Sequence, residues 1–394
     1  MPFFVQDQSD ALSLLYPANF SEYELMLRSL GDMLEKEILP SAEKIDKERI
    51  FPRHNLRKLF DLDLTAMSFP EKYGGLELPS PVYSAAIELV GKACASTAIS
   101  IAIHGTVCQG ISMFGSEEQR ENYLRPLLKG KKFGSFALTE PGSGSDAEAM
   151  RTKATYQNGR YTISGSKMFI TNAGEADVYF VFAKTEKGPS AFLIDKTTSG
   201  VVTGKNMEKL GLRGSRLSEV VLKDCQIPKN NLVGREGEGF EYAKRMLAGG
   251  RITVAAISTG IAQIAYEKAV RYSTQRTQFG QAIANFQMIR EKLANMATAI
   301  YGARLITYFA AAQKDREADF SAIAAAAKLF ASESAVKICD DTIQIHGGYG
   351  YVDETDIHRH WRDARLMTIG EGTSEIMRLI IAKEAIEQHS GSSK

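Results

Sequence analysis

All eleven prolines of this 394-residue chain lie at or before Pro228, and the 166 residues that follow contain none. Proline lacks the amide hydrogen and clashes with the preceding helical turn, so a stretch this long without it is what an all-helical segment looks like. The periodicity agrees: Ile289, Leu293, Met296 and Ile300 fall at i, i+4, i+7 and i+11 on one helical stripe. Alanine-rich stretches such as AIAAAAKLFASESAVKI suggest helices that pack closely and bury several faces.

The middle of the chain follows a different pattern. From Phe133 to Pro228 it reads as short β-rich runs: KFGSFAL, TKATYQ, RYTISG, KMFITN, VYFVFAKT, SAFLIDK and SEVVLKD. Asn158-Gly159 between two alternating runs is a type I′ hairpin signal, and Gly188-Pro189 marks a further turn. Frequent turns without intervening helical periodicity imply an antiparallel sheet or barrel. Helical periodicity dominates the first part, where FSEYELMLRSLGDMLEKEILPSAEKID is the clearest helix, ended near Pro40. The expected fold is α+β and multi-domain: an N-terminal α-helical domain (1–132), a middle β-domain (133–235) and a C-terminal α-helical bundle domain (236–394).

With 48 basic and 47 acidic residues the formal net charge is +1, which argues against a nucleic-acid surface. No apolar run is expected to reach the roughly 20 residues that span a bilayer, since Lys328 interrupts the Ala322–Ala331 stretch. The N-terminus, MPFFVQDQSDALSLLYP, lacks a basic region and carries Asp7 and Asp10, so neither a signal nor a transit peptide is expected and the protein is placed in the cytoplasm. Cys94, Cys108, Cys225 and Cys339 form no C-x-x-C pair and have no histidine at ligand spacing. No metal site is expected, and the four read as buried thiols of a reducing compartment. His358 and His360 in HRHWRDAR read as a basic, solvated helix face, and only the final SGSSK looks like a low-complexity tail.

Four segments invite chemistry. Gly142 to Ala147 fits G-x-G-x-x-A, but strands rather than a helix follow, so the dinucleotide-fold reading fails. What remains is a loop able to hold an anionic or polar ligand, or a plain surface loop. In Gln344–Tyr351 a helix C-cap explains one of three glycines. Arg276 in QRTQFG ends a helix and offers a guanidinium to phosphate, or simply to the helix dipole. In Gly370–Glu375, Thr373 suits an N-cap and Glu375 the first helical turn. Glu371, between two glycines, could meet a ligand lying against the backbone; alone, it would be read as a solvated turn glutamate.

In order and spacing these segments resemble the acyl-CoA dehydrogenases. The matching signatures are EKYGG (71–75), ALTEPGSGSD (137–146), KMFITN (167–172), QRTQFG (275–280), QIHGGYG (344–350), RDAR (362–365) and EGTSEIMR (371–378). The resemblance implies an N-terminal helical domain, a central β-domain and a C-terminal four-helix bundle. It also implies a tightly bound FAD and α,β-dehydrogenation of an acyl-CoA thioester in fatty acid β-oxidation, with electrons passing on to electron-transfer flavoprotein. Glu371 is then the base that takes the α-proton. Phe136, Leu138, Thr139, Gly144 and Ser145 would line the flavin ring and its ribityl-phosphate arm, with Phe169 and Thr171 flanking the flavin. Arg276, Phe279 and Gln287, with Gln344, Gly347 and Gly348, would hold the pyrophosphate and adenosine of a neighbouring subunit's FAD, implying a homotetramer. Thr373 and Glu375 fall at further cofactor positions, and Ser145, Arg251, Gly370 and Gly372 at substrate positions.

Two departures bear on substrate and base. Some branches of the family carry the base one residue before Arg251, where this chain has Gly250. Many straight-chain members have an aromatic residue where this chain has Gly370, and with Gly249 and Gly250 also small the pocket is expected to admit branched or cyclic acyl groups. The alternatives are a flavoprotein oxidase or monooxygenase on the same fold and a non-catalytic acyl-CoA-binding scaffold.

Overall fold

The computed structural model describes residues 6–16, 18–316 and 319–391. Residues 1–5 of the leader reading and 392–394 of the SGSSK tail lie outside the described residues. The N-terminal part is helical: α1 (Gln6–Leu15), α2 (Phe20–Met33), α3 (Ala42–Glu48), α4 (Arg53–Asp61), α5 (Ser80–Ala93), α6 (Ala95–Phe114) and the short α7 (Glu117–Gln119) and α8 (Arg125–Leu128). Pro40 does not end the clearest predicted helix. The chain passes it through a π turn at Leu34–Ile38 and a 3-10 turn at Leu39–Ser41, where proline occupies the first turn and needs no helical partner for an amide hydrogen. The stop comes at Arg49, which turns left-handed (φ 55°) after α3.

The middle part is one sheet: β1 (Gly134–Ala137), β2 (Lys153–Gln157), β3 (Arg160–Thr171), β4 (Val178–Thr185), β5 (Gly188–Asp195), β6 (Val201–Thr203), β7 (Leu217–Pro228) and β8 (Leu232–Val233). The strand order is β6-β7-β3-β2-β4-β5-β8, with β1 also against β4. The expectation of an antiparallel sheet or barrel needs correcting, because β1 and β2 both run parallel to β4 and the sheet stays open. Neither strand reaches β4 by a hairpin; each arrives by a crossover, which is what makes parallel neighbours. RYTISG and KMFITN form a single strand, β3, whose register against β7 shifts twice, between Ile163 and Gly165 and between Lys167 and Ile170. Asn158 and Gly159 both have positive φ, as a type I′ hairpin demands. Gly188-Pro189 is not the turn itself but opens β5, with Gly188 opposite Thr185.

The proline-free part holds α9 (Gly239–Gln275), a small hairpin of β9 (Thr277–Gln278) and β10 (Gln281–Ala282), α10 (Gln287–Asp315), α11 (Ser321–His346), α12 (Gly348–Tyr351), α13 (Ile357–Met367) and α14 (Ser374–Gly391). Helices α9, α10 and α11 pack on one another, and α13 and α14 pack on α11. Met296 and Ile300 are buried, with Ile289 and Leu293 packed against the same core. Contrary to the sequence expectation, α6 and α9 are long and apolar enough to cross a membrane by length and composition; both are mostly buried within this fold. All four cysteines are buried and unpaired.

HRHWRDAR is not a solvated face. On α13, Arg359, His360, Arg362 and Asp363 are all buried. Arg359 and His360 face Asp356 at the start of their own helix, while Arg362 and Asp363 meet partners from distant segments. Arg362 donates two hydrogen bonds to the Asp46 carboxylate of α3, at 3.0 and 2.5 Å, and Asp363 accepts the Leu212 N–H at 2.6 Å. The segment thereby ties a helix of the N-terminal part and a loop of the middle part to the C-terminal helices.

Candidate active site

Glu371 sits on the turn between α13 and α14 in a left-handed conformation (φ 58°), and Gly372 after it has φ 98°. A glutamate there costs roughly 1–2 kcal/mol, so the surroundings must hold it. They do so from three directions. Ser374 N–H donates to Thr368 O at 3.0 Å across the turn. Arg251 on α9 points its Nε at the Glu371 carbonyl (3.4 Å), and Lys328 on α11 donates from Nζ to the Gly372 carbonyl at 2.7 Å. Thr373 caps α14 by accepting the Ile376 N–H.

Glu371 is not the freely solvated turn glutamate that the hexapeptide alone suggested: it is only partly exposed. Its Oε2 is buried without a hydrogen-bond partner among the described residues. Desolvation pushes its pKa up to about 7, against the opposing pull of the Arg251 and Lys328 charges. Burial in turn depresses Arg251 below its ordinary value and brings Lys328 down to about 8. A carboxylate poised near neutrality has the properties of a general base.

A cavity of about 1020 Å³ runs between α5, α6, α9, the α10–α11 connection and α14, lined among others by Tyr83, Gln109, Gly249, Arg251 and Thr253. The two α9 glycines do not enlarge it in the way the sequence suggests. A Cβ on Gly249 would lie 2.4 Å from Gln109 Oε1, and one on Gly250 would lie 2.2 Å from Glu371 Oε2. Their missing side chains make room for the Gln109 amide and for the carboxylate itself. Gly370 is different, with no heavy atom closer than 3.8 Å to its Cβ position.

The other sequence-derived residues fall into two clusters. In the first, Phe136, Leu138 and Thr139 run alongside Phe169 and Thr171: Met168 N–H donates to Thr139 O (2.8 Å) and Ser135 Oγ to Thr171 O (2.6 Å). Lys167 clamps the two segments from behind, donating to Leu138 O (3.0 Å) and Glu140 (2.7 Å). Phe169 has φ 57° and is 61% exposed, so the bulge in β3 holds an aromatic ring out into open space. The adjoining loop carries exposed Ser145 and two glycines, Gly142 and Gly144, with nothing within 4 Å of their Cβ positions. In the second cluster, Arg276, Gly347 and Gly348 line a cleft of about 570 Å³ with Tyr272 and His346. Gly347 and Gly348 also have open space at Cβ, and exposed Arg276 meets no carboxylate among the described residues. Phe279, Gln287 and Gln344 lie exposed nearby in sequence but do not line this cleft. A free guanidinium over bare glycine backbone fits a polyanion, and an exposed ring wall backed by a rigid sheet fits a flat aromatic cofactor, so the residues present suit FAD. Glu375 stands exposed in the first turn of α14, its carboxyl held below the usual range by its own backbone N–H and Thr373.

Family profiles match nearly the whole chain: the acyl-CoA dehydrogenase N-terminal domain at residues 21–131, middle domain at 135–225 and C-terminal domain at 237–386. The chain belongs to the acyl-CoA dehydrogenase family. It is 43% identical over 373 residues to the human mitochondrial short-chain specific acyl-CoA dehydrogenase, covering 93% of this chain and 90% of that protein. Among solved structures, butyryl-CoA dehydrogenase from Megasphaera elsdenii superposes with a TM-score of 0.91 at 39% identity, covering 92% of this chain and 98% of that one. A chain solved in work on the electron transferring flavoprotein of Acidaminococcus fermentans superposes with a TM-score of 0.90 at 40% identity, covering 92% and 97%. This acyl-CoA dehydrogenase is therefore an FAD-dependent oxidoreductase.

Two residues at this site were not among those the sequence singled out. Lys328 entered only as the charge that breaks an alanine run, and that isolation was the available signal. Gln109 is a polar residue inside an apolar helix, GTVCQGISMF, and carried the same kind of signal.

Proposed function

We propose that this dehydrogenase removes the α-proton of a short-chain acyl-CoA with Glu371. The observation that carries this is the Glu371 carboxylate, whose Oε2 is buried without a hydrogen-bond partner among the described residues and whose pKa is raised to about 7. The carboxylate oxygen accepts the proton from the carbon next to the thioester carbonyl, and the freed electron pair becomes the new double bond as the β-hydride departs. FAD, when bound, supplies a two-electron acceptor for that hydride. The chain's own contribution is to exclude water, to orient the carboxylate by fixing its backbone at Arg251 and Lys328, and to keep it ionisable near neutral pH. Arg251, Gly372 and Ser145 are assigned to substrate contact on this reading.

The short-chain assignment is supported by the names of the human and M. elsdenii relatives and by Gln109, whose amide occupies space above Gly249. The room for branched or cyclic acyl groups narrows to Gly370, since the other two glycine positions are filled by neighbours. Electron-transfer flavoprotein is the proposed acceptor, supported by the A. fermentans relative. A homotetramer is supported by Phe279, Tyr351 and Met288, large apolar side chains that leave 93%, 87% and 76% of their surface exposed. The cytoplasm remains the proposed compartment.

The test is anaerobic bleaching of the FAD-loaded protein by straight, branched, aromatic and cyclic acyl-CoAs. Butyryl-CoA is expected to bleach it, with the rate falling below about pH 7 as Glu371 protonates. Glu371→Gln is expected to keep its FAD while reduction slows by about 10³-fold or more. Bleaching at the wild-type rate by this variant would assign the base elsewhere, and no bleaching of wild type by any thioester would favour the binding scaffold.

A further inference from the structure

Lys328 is fully buried on α11, among Ala324, Ala325, Ala327 and Ala331. An ammonium in such surroundings costs several kcal/mol unless something compensates. No carboxylate lies within ion-pair distance of it among the described residues. Its hydrogen bond goes to a carbonyl, that of Gly372, one residue after Glu371. A neutral amide could satisfy that carbonyl without the cost of burying a charge. The charge therefore acts on something else.

The groups facing it are few. Glu371 is its strongest electrostatic neighbour; Arg251 from α9 opposes it, and Glu333 on its own helix and Glu375 on α14 add weaker attraction. From the other side, the charges acting on Glu371 are Arg251 and Lys328. The base thus stands between two cations from different helices, each also holding one of two consecutive carbonyls of its turn. Arg251 lines the cavity, whereas neither Glu371 nor Lys328 is among its lining residues.

We infer that Lys328 is a positioning residue for the Glu371 base, anchoring its left-handed turn through the Gly372 carbonyl and favouring its ionised form through the buried ammonium. The inference rests on Glu371 being the base. It has a definite sign. Removing the positive charge withdraws one of the two influences that hold the Glu371 pKa down, so that pKa rises further. Less of the enzyme then carries the ionised base at neutral pH, and the deficit closes as pH rises.

The experiment is stopped-flow reduction of the FAD-loaded enzyme by butyryl-CoA between about pH 6 and 9.5 for wild type, Lys328→Met, Lys328→Arg and Glu371→Gln. Lys328→Met is expected to shift the apparent pKa of reduction up by about one unit, which makes it about tenfold slower at pH 6.5 and restores most of the rate at high pH. The substrate concentration for half-saturation should change much less, because Lys328 is fully buried and its hydrogen bond goes to the Gly372 carbonyl. Lys328→Arg keeps a charge that never titrates in this range, so its profile should sit at or below the wild-type position whatever its absolute rate. A Lys328→Met profile that matches wild type, or one lowered equally at every pH, would overturn the inference and leave the lysine a structural part. Should Lys328→Met not retain FAD, the Lys328→Arg profile decides, and an upward shift there overturns the inference. Glu371→Gln separates the two levels: if it reduces at the wild-type rate, the base reading itself is wrong.

Discussion

Glu371 shows how one residue takes its properties from what surrounds it. Its sequence neighbours, Gly370 and Gly372, say only that the backbone is free to turn left-handed and that a ligand can approach. Its raised pKa comes from burial, and a raised carboxylate pKa has a stability consequence of known sign. The native state binds the Glu371 proton more tightly than the unfolded chain, so the group favours folding below its unfolded value near 4.5 and loses that advantage as pH rises through about 7. At pH 8 the ionised, desolvated carboxylate opposes folding by roughly 3 kcal/mol. Glu371→Gln is therefore expected to melt at a higher temperature than wild type at pH 8, with the gap closing at pH 4. Equal melting temperatures at both pH values would mean that the carboxylate is solvated or paired in solution. The proposed base is on this account a residue that the fold holds at a cost.

At the scale of elements, the long proline-free run was legible as helices, and α9, α10 and α11 follow from it. Their packing was not. Glycine in a helix interior ordinarily lowers stability by roughly 1 kcal/mol relative to alanine, which would make Gly260 on α9 a candidate for improvement. In the fold a Cβ there would lie 2.1 Å from the Glu88 carbonyl of α5, because the two helices touch backbone to backbone. Gly260→Ala is accordingly expected to lower the melting temperature despite its better helix propensity; a rise would show that α5 and α9 can separate at little cost. The sheet shows the same division. Alternation marked most of its strands, and Asn158-Gly159 marked its tightest hairpin, but strand order and the parallel pairing of β1 and β2 with β4 involve partners that no local pattern names. The proline at position 40 shows a local rule yielding, since a π turn and a 3-10 turn carry the chain past it.

Across the whole molecule, the RDAR segment does what composition hides. Its charges looked solvated because charge usually is, yet Arg362 is held by Asp46, 316 residues away, and also donates to the Leu210 carbonyl at 3.1 Å. Removing one partner of a buried pair leaves the other uncompensated, so Asp46→Ala is expected to destabilise the protein by about 3–5 kcal/mol, measurable as an early loss of structure in urea. A shift below 1 kcal/mol would mean that water reaches Arg362 in solution.

The sequence by itself determined the helical, β and helical order, the places where the backbone must turn, and, through its ordered signatures, the family and its FAD-dependent chemistry. These are local properties: a proline, a period or a glycine acts on its immediate neighbours. Only the tertiary structure decided that Gly249 and Gly250 make room for Gln109 and Glu371, that Arg359, His360, Arg362 and Asp363 of HRHWRDAR are buried, and that a lysine in an alanine run stands beside the proposed base. Lys328 and Arg251 reach the Glu371 turn from 44 and 120 residues away. Desolvation and buried charge depend on who is near in space, and chain order does not record that.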